Sequence, residues 1–117
     1  MIYDAMSSPT SCNNLILIIM KILTIKKNVI NRNSIYNFCD DGPSVSPYNF
    51  TFFILNEVKK FKKNVPNLFK TEFKNYNKNI VKPQYLTLDN SKVIKDLHYK
   101  PYSWKSEIRK LIKEKYS

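Results

Sequence analysis

A chain of 117 residues that is 43% apolar and 14% aromatic can fill one hydrophobic core, which excludes wholesale disorder. Two cysteines and one histidine exclude a disulfide scaffold and a zinc cluster, and leave almost no room for a Ser/His or Cys/His catalytic pair. The net charge of +11 invites a nucleic-acid surface. Yet every basic residue except Arg32 and Arg109 is lysine, beside abundant asparagine and isoleucine, a profile of compositional drift rather than of Arg-based readout.

Met1-Ile2-Tyr3 reads as an extended start running into the polar turn Ser7-Ser8-Pro9-Thr10. Thr10, Ser11 or Asn14 can cap the helix that follows. Its apolar run, Leu15-Ile16-Leu17-Ile18-Ile19-Met20, continues through Ile22, Leu23 and Ile25, roughly half of the ~20 residues that cross a bilayer. No leading basic region and no small-residue cleavage site mark it as a signal peptide. A buried helix is the expectation and a membrane span is not, although an interfacial role stays open. Residues 26–33 read as a polar linker.

Ser34-Ile35-Tyr36-Asn37-Phe38 alternates as a short strand does. Asp40-Asp41-Gly42-Pro43 then turns the chain on its single glycine, and the two acids read as turn residues rather than paired catalytic carboxylates. Ser46-Pro47 is a helix start, a capping oxygen followed by a residue that needs no amide partner. Phe50, Phe53, Ile54, Val58 and Phe61 recur at helical spacing opposite Lys59, Lys60 and Lys63, and this aromatic stripe is expected in the core.

A strand around Leu68-Phe69 is entered past Pro66, and residues 75–80 read as a loop. Lys82-Pro83-Gln84-Tyr85-Leu86-Thr87-Leu88 is then expected as a strand that opens at Pro83, with Tyr85 and Thr87 on one side and Leu86 and Leu88 on the other. Asp89, Asn90 and Ser91 can cap a helix through Val93, Ile94 and Leu97. Ser103 caps the last helix, whose apolar face is Trp104, Ile108, Leu111 and Ile112. The sum is an α+β chain of about four helices with short strands.

Chemistry-bearing patterns are missing. With Gly42 alone, neither a dinucleotide-binding glycine loop nor a P-loop can be written. No G-x-S-x-G elbow is present, and no Tyr-x-x-x-Lys pair follows a glycine loop.

Three segments in order nevertheless resemble one family. Asp4-Ala5-Met6-Ser7-Ser8-Pro9-Thr10-Ser11 with Asn14-Leu15 is similar to the Asp-Gln-x-Gly-[Ser/Ala]-Pro-Thr-x-x-x-Asp-Leu segment of dTDP-4-dehydrorhamnose reductases. The segment from Ser34 to Tyr48 resembles that family's Gly-[Ile/Leu]-Tyr-His-[Leu/Phe] strand, glycine turn and Ser/Thr-Trp-Tyr helix start. Lys82-Pro83 through Leu88-Asp89-Asn90-Ser91-Lys92, with Trp104 beyond, resembles the closing Arg-Pro, Leu-Asp-[Asn/Thr]-[Ser/Ala]-Lys and Pro-x-Trp pattern. The departures are Ala5 for Gln, Ser7 for Gly, Asn14 for Asp, Pro47 for Trp and Lys82 for Arg.

The resemblance implies the small C-terminal substrate-binding lobe of an extended short-chain dehydrogenase/reductase, a single partial domain over residues 1–117 with the Rossmann half missing. That half would supply NAD(P)H binding and the catalytic Tyr and Lys, so no cofactor is expected on this chain alone and no catalytic residue is assigned. The family's reaction reduces dTDP-4-dehydrorhamnose to dTDP-rhamnose. Carried across, Asp4, Pro9 and Thr10 would line the substrate side, with Tyr48, Lys82 and Pro83 bordering it. The implied partner is a dTDP-sugar, given a Rossmann half in trans, in the cytoplasm, with no membrane or nucleic acid and with a dimer left open. Two alternatives are a non-catalytic interaction subunit of the same fold, as in the regulatory subunit of methionine adenosyltransferase, and a small basic nucleic-acid binder.

Overall fold

Side-chain oxygens ahead of the helices decide where those helices begin. Ser46 Oγ accepts from the amide of Asn49 at 3.2 Å, with Pro47 in the first turn. Ser11 Oγ accepts from Asn14 N at 3.2 Å, so Ser11, rather than Thr10 or Asn14, is the cap of the first helix. Each such bond satisfies an amide that has no partner inside its helix and stabilises by about 1 kcal/mol.

The computed structural model describes residues 1–25, 34–75 and 83–117. The expected linker at residues 26–33, most of the expected loop at 75–80, and Lys82 lie outside the described residues. The described elements run β1 (Met6–Ser7), α1 (Cys12–Thr24), α2 (Pro47–Val58), a 3-10 turn (Phe73–Asn75), β2 (Tyr85–Leu86), α3 (Ser91–Leu97) and α4 (Trp104–Tyr116). The class is therefore α+β, as expected. The residues group into two compact units. One is Met1–Ser8, Pro43–Thr87 and Ile108–Ser117, and the other is Pro9–Gly42 and Leu88–Glu107.

The first unit holds the sheet. β1 and β2 pair in parallel, Met6 opposite Tyr85 and Ser7 opposite Leu86. Ile2 bridges to Thr71 in parallel and Ser7 to Val45 antiparallel. The expected strand at Leu68-Phe69 therefore makes its ladder contact further on, at Thr71. The alternation from Tyr85 to Leu88 does not separate a buried from an open side, because Tyr85, Leu86, Thr87 and Leu88 are all exposed.

The aromatic stripe of α2 is also less buried than its spacing suggests. The helix ends at Val58, Phe61 lies beyond it, and Phe50, Phe53, Ile54 and Val58 are only half-buried. The buried residue of α2 is Glu57, which accepts from Arg109 Nε at 3.2 Å and pairs with Lys60. A carboxylate can be buried there because it is paired. Phe61 instead stacks on Tyr116, their centroids 5.8 Å apart.

The second unit has its core at Ile18, Val93 and Leu97, with Ile25, Tyr36, Phe38 and Tyr99 packed on it. Only Asn14 and Ile18 of α1 are buried. Leu15, Ile16, Ile19, Met20 and Leu23 are exposed, Leu23 by 73%, so the expectation of a wholly buried helix is corrected. Residues 34–38 keep the alternation of a strand, Tyr36 and Phe38 inward and Ile35 83% exposed, but no ladder partner pairs with them among the described residues.

α3 begins at Ser91, whose amide donates to Asp89 Oδ1 at 2.8 Å, while the Asn90 side chain donates to the carbonyl of Cys39 at 2.9 Å. His98 ends α3 in the left-handed region at φ 48°. Trp104 and Ile112 of α4 are buried, whereas Leu111 is 58% exposed, which narrows the expected apolar face.

Candidate functional site

Asp4 sits where three distant segments of the first unit meet. Its Oδ1 accepts from the amide of Phe73 at 2.7 Å, the first residue of the 3-10 turn. Gln84 Nε2 donates to the Asp4 carbonyl at 2.8 Å and to its Oδ2 at 3.4 Å. The carboxylate expected to face substrate thus organises the walls of a cleft.

That cleft is a cavity of about 580 Å³, lined by Met1, Ile2, Ala5, Met6, Ser7, Pro47, Thr71, Phe73, Pro83, Gln84 and Leu86. The volume falls within the range of small-molecule sites. Apolar side chains dominate the lining, and among the described residues its charged group is the N-terminal ammonium of Met1, which donates to Phe69 O.

Tyr48 lies one residue after the lining Pro47, in the first turn of α2. Its amide donates to Ile2 O at 2.9 Å, its ring stacks on Phe52 at 6.2 Å, and Lys70 Nζ stands 5.1 Å above it. Pro83 is exposed and lines the cavity. The structure thus brings Asp4, Tyr48 and Pro83 into one unit, around or beside one cleft. Pro9 and Thr10 belong to the other unit, where Pro9 O accepts from Asp40 N at 2.9 Å and Thr10 is exposed. Lys82, the cation expected for a diphosphate, lies outside the described residues.

Sequence reasoning missed Gln84, Phe73 and the small apolar wall of Ile2, Met6 and Leu86. These residues are adjacent only after folding. The one local signal was the pair of short extended stretches that carry them.

The second unit contains a buried polar cluster. Asn14, fully buried, donates from Nδ2 to Asp40 Oδ1 at 2.8 Å and to Tyr102 O at 2.9 Å. Its Oδ1 accepts from Tyr102 N at 3.0 Å and from the Tyr99 hydroxyl at 3.3 Å. Asp40 Oδ1 also accepts from Ser11 N at 2.9 Å, while its buried Oδ2 has no hydrogen-bond partner among the described residues. Asp40 is therefore an interior anchor and not the turn residue its neighbours suggested. Burial, first, and then the charges of Tyr102, Asp40 and Glu107 raise the Tyr99 phenol above its ordinary value.

The residues do not fit a nicotinamide dinucleotide. The single glycine, Gly42, has φ +115° and packs against Trp104, and the described sheet offers two residues per strand without a glycine loop between strand and helix. Among the described residues no cluster of three or more His, Cys, Asp or Glu side chains is arranged to hold a metal ion. No helix among them is long and apolar enough to cross a membrane.

A family model described as the RmlD substrate binding domain matches residues 1–117, the whole of the chain. No curated protein shows a significant match.

Proposed function

The chain belongs to the RmlD substrate binding domain family, and from that premise we propose that it acts as the substrate-presenting lobe of a dTDP-4-dehydrorhamnose-type reductase. That domain is the C-terminal part of extended short-chain dehydrogenase/reductases. The observation that carries the proposal is the match over the full chain. The cleft braced by Asp4 and bordered by Pro83 is consistent with it.

The division of labour follows from the residues present. Hydride transfer needs a bound nicotinamide and a proton donor at the reacting oxygen. This lobe holds and orients the sugar nucleotide, while the nicotinamide and its Tyr/Lys pair come from a Rossmann half supplied by other residues. The reaction served is reduction of the 4-keto group of dTDP-4-dehydrorhamnose with NAD(P)H, giving dTDP-rhamnose.

An NADPH-linked reduction assay tests this with the chain alone and with the Rossmann half of a family reductase added as a separate polypeptide. The expected result is no turnover alone and turnover above the Rossmann-only background in the mixture. Turnover by the purified chain would overturn the proposal, and so would a mixture no faster than the Rossmann half alone. In the latter case, specific retention of a partner enzyme without sugar-nucleotide binding would favour an interaction subunit of the same fold.

A further inference from the structure

We propose that Lys70 is the cation that takes the diphosphate of the sugar nucleotide, held ready against the rings of Tyr3 and Tyr48 at the edge of the cleft in the first unit. This rests on the substrate-lobe reading and deepens it by naming the residue that meets the ligand's charge. Lys70 Nζ stands 5.8 Å from the centre of the Tyr3 ring and 5.1 Å from that of Tyr48. Both lie within the range over which an aromatic face attracts an ammonium. Main-chain bonds set these residues side by side. Ile2 bridges to Thr71 in parallel, Tyr3 N donates to Thr71 O at 3.2 Å, and Tyr48 N donates to Ile2 O at 2.9 Å. Each of the three is also the chain neighbour of a cleft-lining residue, Tyr3 of Ile2, Tyr48 of Pro47 and Lys70 of Thr71.

A diphosphate brought to this cleft needs a cation, because an unpaired anion against apolar walls is unfavourable. The cleft's own charged group, the Met1 ammonium, already donates to Phe69 O. Lys70 is exposed and makes no ion pair or hydrogen bond among the described residues. Acids on the adjoining segments are engaged elsewhere. Glu72 pairs with Lys74 at 2.6 Å, and the Asp4 carboxylate accepts from the Phe73 amide and from Gln84 Nε2. Lys70 thus keeps a positive charge open to solvent beside the cleft. A lysine that closes on a phosphate gives up rotamer freedom, and two rings that already confine its ammonium lower that cost. The uncharged sugar can then lie in the cleft of about 580 Å³ while the diphosphate stays at its edge.

The test is an NMR-detected titration of the full chain with dTDP and, separately, with thymidine, which lacks the diphosphate. The parent is expected to bind dTDP more tightly than thymidine. Lys70→Ala is expected to weaken dTDP binding about tenfold or more, as the loss of a hydrogen bond to a charged group does, and to leave thymidine binding unchanged. Lys62→Ala is the control, since it removes the same charge from a lysine that stands 5.2 Å above another ring, that of Tyr116. Its dTDP binding is expected to match the parent's. Should circular dichroism show that Lys70→Ala unfolds the chain, Lys70→Gln is read in its place, with the same tenfold loss expected. Four results would overturn the proposal and leave the substrate lobe standing: parental dTDP binding by the Lys70 variant, an equal loss in Lys62→Ala, an equal loss toward thymidine, or a parent without preference for dTDP. A parent that binds neither ligand would overturn the proposal and the substrate-lobe reading together.

Discussion

Gln84 donates twice to Asp4, once to its carbonyl at 2.8 Å and once to its carboxylate at 3.4 Å, while the same carboxylate takes the amide of Phe73 at 2.7 Å. An aspartate near the beginning of the sequence thereby fixes two cavity walls that lie far along the chain. Asp4→Ala is expected to destabilise the chain by about 1.5–3 kcal/mol, the range for hydrogen bonds to a charged group. Urea unfolding of both proteins checks this, and an unchanged midpoint would remove Asp4 from its bracing role.

Asn14 is the corresponding hub of the second unit, and the related family motif carries aspartate at that place. Asn14→Asp would set a second carboxylate against Asp40, where Asn14 Nδ2 now donates at 2.8 Å. Like charges in contact repel. The variant is expected to lose about 3 kcal/mol or more near neutral pH and to recover part of that loss on acidification. A variant as stable as the parent at neutral pH would show that the cluster tolerates the extra charge.

Glu57 supplies a pH dependence with a definite sign. Hydrogen bonding from Lys60, first, and from Arg109 holds its carboxyl below the ordinary value of 4.5, partly opposed by burial. A lowered folded value means the stabilisation is present above the ordinary carboxylate range and lost as pH falls through the folded value. Glu57→Gln should therefore flatten the acid limb of the stability curve as pH falls below the ordinary carboxylate value of 4.5. Identical acid limbs in thermal melts of the two proteins would contradict the pairing.

Gly42 presses on the single tryptophan. A methyl group built on it would come within 3.2 Å of Trp104 Nε1 and 3.3 Å of Cδ1, at a backbone angle of φ +115°. Gly42→Ala is expected to cost about 1–3 kcal/mol through backbone strain. It should also shift the Trp104 emission maximum, a direct local readout because no other tryptophan is present. An unshifted spectrum with full stability would mean that the turn accepts a side chain.

What was legible in the sequence was local chemistry. Ser46-Pro47 announced α2, because caps act over two or three residues, and α3 starts within the Asp89-Asn90-Ser91 cluster, although its N-cap Asn90 makes no side-chain capping bond and Asp89 takes the Ser91 amide instead. Burial was not legible in the same way. The apolar run of α1 fixed a helix, but Ile18 is buried and Leu23 is 73% exposed, which depends on what packs against each face. Residues 34–38 show the same limit, since alternation places side chains but cannot supply a neighbouring strand.

Some residues around the candidate cleft were legible. Asp4, Tyr48 and Pro83 were reached through the family resemblance and lie in one unit. Asp40 was misread because an acid beside Asp41-Gly42 looks like a turn, and only the distant Asn14 and Ser11 make it an anchor. Gln84 carried no local signal beyond the short extended stretch it sits in.

Calorimetric titration of the purified chain with a dTDP-4-keto sugar and, in parallel, with NADPH tests the substrate-lobe assignment most directly. The account predicts saturable heat with the sugar nucleotide and none with NADPH. Binding of NADPH, or silence toward the sugar nucleotide, would contradict it.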